Sequence, residues 1–173
     1  NRILPADIAV QKIVRVRPVA HARFDAVERT YYYYITTEKN PFRVEHYYRI
    51  PFDVDFGRMN EAADLLVRKG DFASFAKTNS DVKTTICDVR RAVWVDLGDN
   101  AWRFEITADR FLRNMVRAVV GTLLDVGRGR MQPSDMENVL RNRNRCAAES
   151  VFGGALFLHE VKYPANVFDY ELP

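Results

Sequence analysis

Cysteine is scarce in these 173 residues: only Cys87 and Cys146 occur, far apart and without a CxxC pairing. A disulfide-stapled secreted scaffold is thereby excluded, and a reduced, intracellular protein is expected. Histidine is as sparse. His21, His46 and His159 lie scattered without metal-ligand spacing, so no metal centre is expected. No uninterrupted apolar run approaches the roughly 20 residues of a membrane span, and no secretory leader pattern is present. A dominant charge is missing too: 26 Lys and Arg stand against 23 Asp and Glu, leaving a net charge of +3 and a pI near 8.9. That balance permits a polyanionic partner without demanding one. With 47% hydrophobic and 28% charged residues the chain is no disordered tract, and residues 1–173 suffice for one domain with its own core.

Short catalytic signatures are equally lacking. There is no GxGxxG, no phosphate loop and no local Ser-His-Asp pattern. Asp25, Glu28, Asp71, Asp81 and Asp109 all fall in loop-like sequence, and nothing pairs two of them for glycoside chemistry. The two cysteines read as packing residues rather than nucleophiles. The chain opens at Asn1 without an initiator methionine, and "LPADIAV" reads as a turn entering a strand, so a piece of a longer protein is expected.

What is present is periodicity. Ile8–Val16 alternates apolar and polar and predicts a strand. "TYYYYITT" predicts a second strand, ended by "EKNPF", and "HYYRIPF" a short third. From Asp55 the period becomes helical, with Met59, Ala62, Ala63, Leu66 and Val67 on one side and Gly70 as the stop. A polar loop, "ASFAKTNSDVKTT", follows. Next comes a hairpin turned at "GDN", with Val89, Val93, Val95 and Leu97 on one face and Trp102, Phe104 and Ile106 on the facing strand. "FLRNMVRAVVGTLLDVGRGRM" predicts a helix of roughly five turns, buried through Leu112, Met115, Val116, Val119, Leu123 and Val126. A further helix starts near Pro133 and Ser134, and "ALFLHEVKY" is the closing strand. The order predicts an α+β fold, a mostly antiparallel sheet with helices packed on one face.

Among candidate functional residues, Arg110, Arg113 and Arg117 are spaced to share one side of the long helix. They form either a solvated face or a basic wall beside an RNA groove. Arg117, beside Val116, Val119 and Val120, suits an inward role, where a buried guanidinium requires a carboxylate partner. Arg141, Arg143 and Arg145 complement a helix C-terminus or contact RNA. Lys77 and Lys83, in the polar loop, suit phosphate and sugar contacts or plain solvation.

Several stretches together resemble the TruA-type tRNA pseudouridine synthases: "LPADIAV", "HARFDAVERTYYYYI", "GDFASFAKTNSDVKTT", "FLRNMVRAVVGTLLDVGRGRM" and "ALFLHEVKYP". The resemblance covers nearly the whole chain and is to the C-terminal half of such an enzyme, with the pseudouridine synthase fold. It implies conversion of uridine to pseudouridine in the tRNA anticodon stem-loop, at positions 38–40, without cofactor or metal, by a cytoplasmic homodimer. It also implies site roles. Tyr31 would contact the uracil and help remove the C5 proton, Arg117 would pair with the catalytic aspartate, and Leu112 would line the uracil pocket. Arg29, Arg110, Arg113, Lys77 and Lys83 would contribute to substrate binding. The family's basic pair before the tyrosine is Arg29-Thr30 here, and its Gly before Leu in the closing strand is Ala155. The Gly-Arg-Thr-Asp-Ala-Gly-like segment that bears the family's aspartate occurs nowhere in the 173 residues, and Asp25 and Asp109 do not match it. The chain alone is therefore expected to be inactive. The alternative is a noncatalytic α+β module that binds structured RNA by shape and phosphate, and a third reading is an interaction domain without a nucleic-acid role.

Overall fold

A computed structural model describes residues 1–77, 83–142 and 150–168. Six strands, β1 (Glu28–Thr36), β2 (Tyr48–Arg49), β3 (Lys69–Asp71), β4 (Ile86–Gly98), β5 (Ala101–Ala108) and β6 (Leu156–Lys162), form one sheet. The order runs β2-β1-β5-β4-β3, and β6 also pairs with β1. Only the short β1–β2 pairing is parallel. Three helices, α1 (Phe56–Asp64), α2 (Met115–Gly127) and α3 (Asp135–Arg141), complete an α+β fold.

The aromatic strand sits at the centre because both of its edges are used. β5 pairs along its length and β6 along its first six residues. Side chains alternate across a strand, so Tyr31, Tyr33 and Ile35 face the helices while Tyr32 and Tyr34 face the other way. Tyr33 and Ile35 are fully buried with Phe104 and Ile106 from β5, Trp94 from β4, and Met115, Val119 and Leu123 from α2. α1 is started by Asp55, whose carboxylate accepts the Arg58 N–H at 3.0 Å. It docks on the end of α2, where the Asp55 N–H reaches the Gly127 carbonyl at 3.0 Å.

The turn between β4 and β5 carries positive φ at Gly98, Asp99 and Asn100, as its "GDN" sequence suits. One face of β4 differs from the alternation. Val89 is buried, but a bulge between Val89 and Arg91 inserts a residue, after which Ala92 and Trp94 point into the core. Val93 and Val95 therefore lie half-buried on the opposite face, and Leu97 is exposed.

Three other expectations are corrected. Ile8–Val16 forms no strand. Ile8 and Ile13 are exposed, and Val16 alone makes a bridge, to Phe168. An alternating segment becomes a strand only where a neighbour supplies ladder bonds and a surface to cover. Gly70 does not stop a helix: α1 ends at Asp64, and Gly70 pairs with Cys87 in β3. The long helix is shorter than five turns. It begins at Met115, because Asn114 adopts φ 72° and the residues before it make their bonds elsewhere.

Candidate active site

Four segments converge at the helix-facing side of β1: the strand itself, the loop 109–114, the first turn of α2, and the segment 150–155 that enters β6. The loop is pinned at both ends. Asp109 donates its N–H to the Asp88 carbonyl and accepts the Asp88 N–H on Oδ1 at 2.7 Å. Met115 N–H closes on the Leu112 carbonyl, and the Arg113 carbonyl accepts the Lys77 N–H. The bends at Asp109 and Asn114 explain why Arg110 and Arg113 are not on α2. The shared helical face expected for Arg110, Arg113 and Arg117 is replaced by a loop that leaves Arg110 half-buried and Arg113 exposed.

Tyr31 is half-buried, with its ring edge-on to Phe111 at 5.0 Å between centroids. Such an edge-to-face contact fixes the plane of the phenol. Leu112 is 4% exposed and belongs to the core behind that pair. Arg29 uses its guanidinium on backbone. Nη1 donates to the Ala26 and Asp109 carbonyls, each at 2.7 Å, and Nη2 donates to the Arg23 carbonyl. Arg29 thus ties the "HARFDA" turn and the loop 109–114 to β1. Thr30 faces away from Tyr31 and meets Thr107, hydroxyl to hydroxyl, at 2.9 Å.

Arg117 is half-buried on α2. Its Nε donates to the Val151 carbonyl at 2.6 Å, and the guanidinium rests over Gly153, where an added Cβ would lie 3.7 Å from Cζ. Among the described residues its two Nη groups have no hydrogen-bond or ion-pair partner. Tyr33 is fully buried and donates its hydroxyl to the Phe152 carbonyl at 2.7 Å. Burial pushes the Tyr33 phenol well above its ordinary value, an effect the nearby Arg117 charge opposes. Ala155 takes its place without distortion, fully buried, with its carbonyl accepting the Tyr34 N–H.

The remaining candidates divide. Lys77 is exposed but joined through its N–H to the loop that carries Arg113, whereas Lys83 is exposed at the far end of the polar loop, whose residues 78–82 lie outside the described residues. Arg128 stacks on Phe52 at 3.9 Å and Arg130 pairs with Asp125, both at the opposite end of α2. Arg141 pairs with Glu137. Arg143, Arg145 and Cys146 lie outside the described residues. Burial pushes the Cys87 thiol up to about 11, which suits packing and not nucleophilic attack. Asp25 is held below the usual carboxylate range by the His21 N–H and the Arg17 guanidinium, so its oxygens serve the local turn.

Sequence reasoning missed Phe111, Tyr33 and the 151–153 segment. Period-two alternation placed Tyr33 beside Tyr31, yet no local pattern links it to Phe152, 119 residues further on. A pocket of about 420 Å³ opens on the other face, between Tyr32, Tyr34, Tyr47 and Phe157. There the Tyr32 ring is already sandwiched, stacked on His159 at 3.9 Å and covered by Arg103 at 4.4 Å.

The α+β fold agrees with what comparison with known proteins finds. The model of the tRNA pseudouridine synthase family matches residues 62–164. The tRNA pseudouridine synthase A of Bacteroides fragilis is 54% identical across 98% of this chain, and that of Parabacteroides distasonis 55% identical across 99%. In each case the chain spans 68% of the relative. The Bacillus subtilis enzyme of the same name is 35% identical over 94% of the chain and 67% of its own length. The chain belongs to the tRNA pseudouridine synthase family, whose full-length members are isomerases.

Proposed function

We propose that this chain provides one wall of a uridine-isomerising site and acts on tRNA, with Tyr31 and Arg117 as its reacting-site residues. The observation that carries the reading is the seat of Arg117: Nε is committed to the Val151 carbonyl, while both Nη groups lack a partner among the described residues. A half-buried guanidinium in that state suits a carboxylate arriving from outside these residues. The aspartate comes from a Gly-Arg-Thr-Asp-like segment that this sequence does not contain, and Arg117 fixes its geometry bidentately.

In the reaction the C1′–N1 bond of the uridine breaks, the uracil turns in the site, and C5 bonds to C1′. The C5 proton leaves and N1 gains one, so the sum is an isomerisation. A stacked base is inaccessible, so the target nucleotide flips into the site. Tyr31 contacts the uracil face and assists removal of the C5 proton. Because a free phenol ionises near pH ~10, this role needs a neighbouring charge. Leu112 backs the pocket. Arg29 acts through the loop that it ties down, and Arg110, Arg113, Lys77 and Lys83 meet phosphate and sugar. The substrate is the anticodon stem-loop at positions 38–40, and the full-length enzyme is a cytoplasmic homodimer without cofactor.

The test is pseudouridine formation in a tRNA transcript by the full-length enzyme. Arg117→Ala should reduce turnover by at least about 100-fold while leaving tRNA affinity within a few-fold. Unchanged chemistry with weakened, salt-sensitive binding would instead assign Arg117 to a phosphate contact in a noncatalytic RNA-binding module. Residues 1–173 alone should form no pseudouridine.

A further inference from the structure

Tyr33 is the one tyrosine of "YYYY" that is completely buried, and among the described residues its hydroxyl has one partner, the Phe152 carbonyl at 2.7 Å. The preceding carbonyl, of Val151, is the acceptor for Arg117 Nε at 2.6 Å. The next residue, Gly153, lies under the guanidinium, which an added Cβ would approach to 3.7 Å. Two consecutive carbonyls are therefore gripped by side chains from opposite layers, one from β1 and one from α2. The Phe152 side chain takes no part in this grip: it is 51% exposed.

We infer that Tyr33 is a positioning residue for the reaction proposed above: by holding the Phe152 carbonyl it keeps residues 151–153 where they seat the Arg117 guanidinium. This rests on the functional reading of Arg117. Its physical basis is independent of that reading. A buried hydroxyl bonded to backbone is costly to leave unmet on either side, and the peptide plane that carries the Phe152 carbonyl joins, at the Phe152 Cα, the plane that carries the Val151 carbonyl. Loss of the hydroxyl frees the 152–153 plane and loosens the 151–152 plane joined to it, and the Nε contact then holds the guanidinium against a segment that is no longer fixed. Tyr31 on the same face is untouched, since its ring is held by Phe111.

The experiment uses the full-length enzyme with Tyr33→Phe, which removes one oxygen and keeps the ring. It should lower kcat for pseudouridine formation about 10- to 100-fold, as a misplaced reacting group does, with KM and tRNA affinity nearly unchanged. In an Arg117→Lys background the same change should cost less than about threefold, because lysine has no Nε–H to place on Val151. An unchanged kcat, or the same fold-loss in both backgrounds, overturns the inference. Exchange of the Arg117 Nε–H with solvent gives a readout apart from activity. Tyr33→Phe should speed it about tenfold or more, and no change overturns the inference. In the unaltered enzyme that proton should exchange about tenfold more slowly than the Nε–H of exposed Arg113. Equal rates overturn the seat whether or not the variant folds. Absence of pseudouridine with unaltered enzyme, alongside a protected Nε–H that Tyr33→Phe releases, refutes the functional reading and leaves the positioning intact.

Discussion

The Nη1 of Arg29 donates to the Asp109 carbonyl at 2.7 Å, joining the start of β1 to the loop that leaves the end of β5. The same guanidinium holds the Ala26 and Arg23 carbonyls, so one planar fork closes three segments. Lysine has no such fork. Arg29→Ala should cost about 2 kcal/mol of stability, and Arg29→Lys should recover less than half of that. Urea unfolding midpoints check this. A fully restored midpoint in the lysine variant would show that charge alone suffices.

Gly127, at the end of α2, lies close against Met59 of α1. A Cβ there would come within 2.6 Å of Met59 Sδ and 3.0 Å of Val54 Cβ. Gly127→Ala should therefore destabilise by about 1–3 kcal/mol through overpacking. Shortening Met59 to alanine creates space at the same point, so Gly127→Ala should cost clearly less in that background. Additive losses in thermal unfolding would refute the contact.

Acid should weaken the sheet through two glutamates. Glu28 lies below its ordinary value of 4.5 because Lys162 and Arg90 donate to it, each at 2.7 Å, against an opposing effect of burial. Burial pushes Glu105 upward, but Arg91 and Arg103 outweigh it and bring it below 4.5. A carboxylate with a lowered folded value binds protons more readily when the chain is unfolded. Its stabilisation is thus complete above about pH 4.5 and is lost as pH falls through the folded values. Tm should drop between pH 5 and 3, by less in Glu105→Gln than in the parent, although the variant starts lower at pH 7. Parallel profiles would remove Glu105 from the acid response.

Asn114 stands immediately before α2 with φ 72° and donates its side-chain amide to the Ser150 hydroxyl. Asn114→Val should cost about 1–2 kcal/mol, since a branched side chain resists that conformation. Asn114→Gly accepts the backbone and loses only the amide bond, and should stay within about 1 kcal/mol of the parent. Chemical denaturation distinguishes the two, and equal losses would show that the side-chain bond outweighs the backbone conformation.

The aromatic strand, the "GDN" turn, the buried stripe of α2 and the closing strand were legible in the sequence because their patterns are local. The bulge in β4 was not, since one extra residue leaves the alternation of "CDVRRAVWV" ambiguous until β5 sets the register. The start of α2 was hidden for a related reason. "FLRN" has helical spacing, but its Arg113 carbonyl bonds to Lys77, and Asp109 just before it bonds to Asp88 and Arg29, all distant in sequence. For the site, Tyr31 came from family resemblance and Arg117 from its apolar neighbours together with that resemblance, and the role of Thr30 is clear only from its pairing with Thr107. Ile8–Val16 shows the reverse case, a strand-like pattern without a ladder beside it.

The strand at the centre of the sheet is made before the other five strands, and both of its principal neighbours are made late. Tyr33 meets Phe152 across 119 residues, and β6 pairs with β1 only after the helices have been synthesised. Contacts of such long range slow folding, because the loop must close before it is rewarded. Until residues 151–162 emerge, "YYYYI" remains a sticky, aromatic, unpaired edge on the nascent chain. Completion of the Arg117 seat and protection of that edge are therefore one late event in biogenesis. A chain stopped short of β6 would expose an aggregation hazard as well as lack a site.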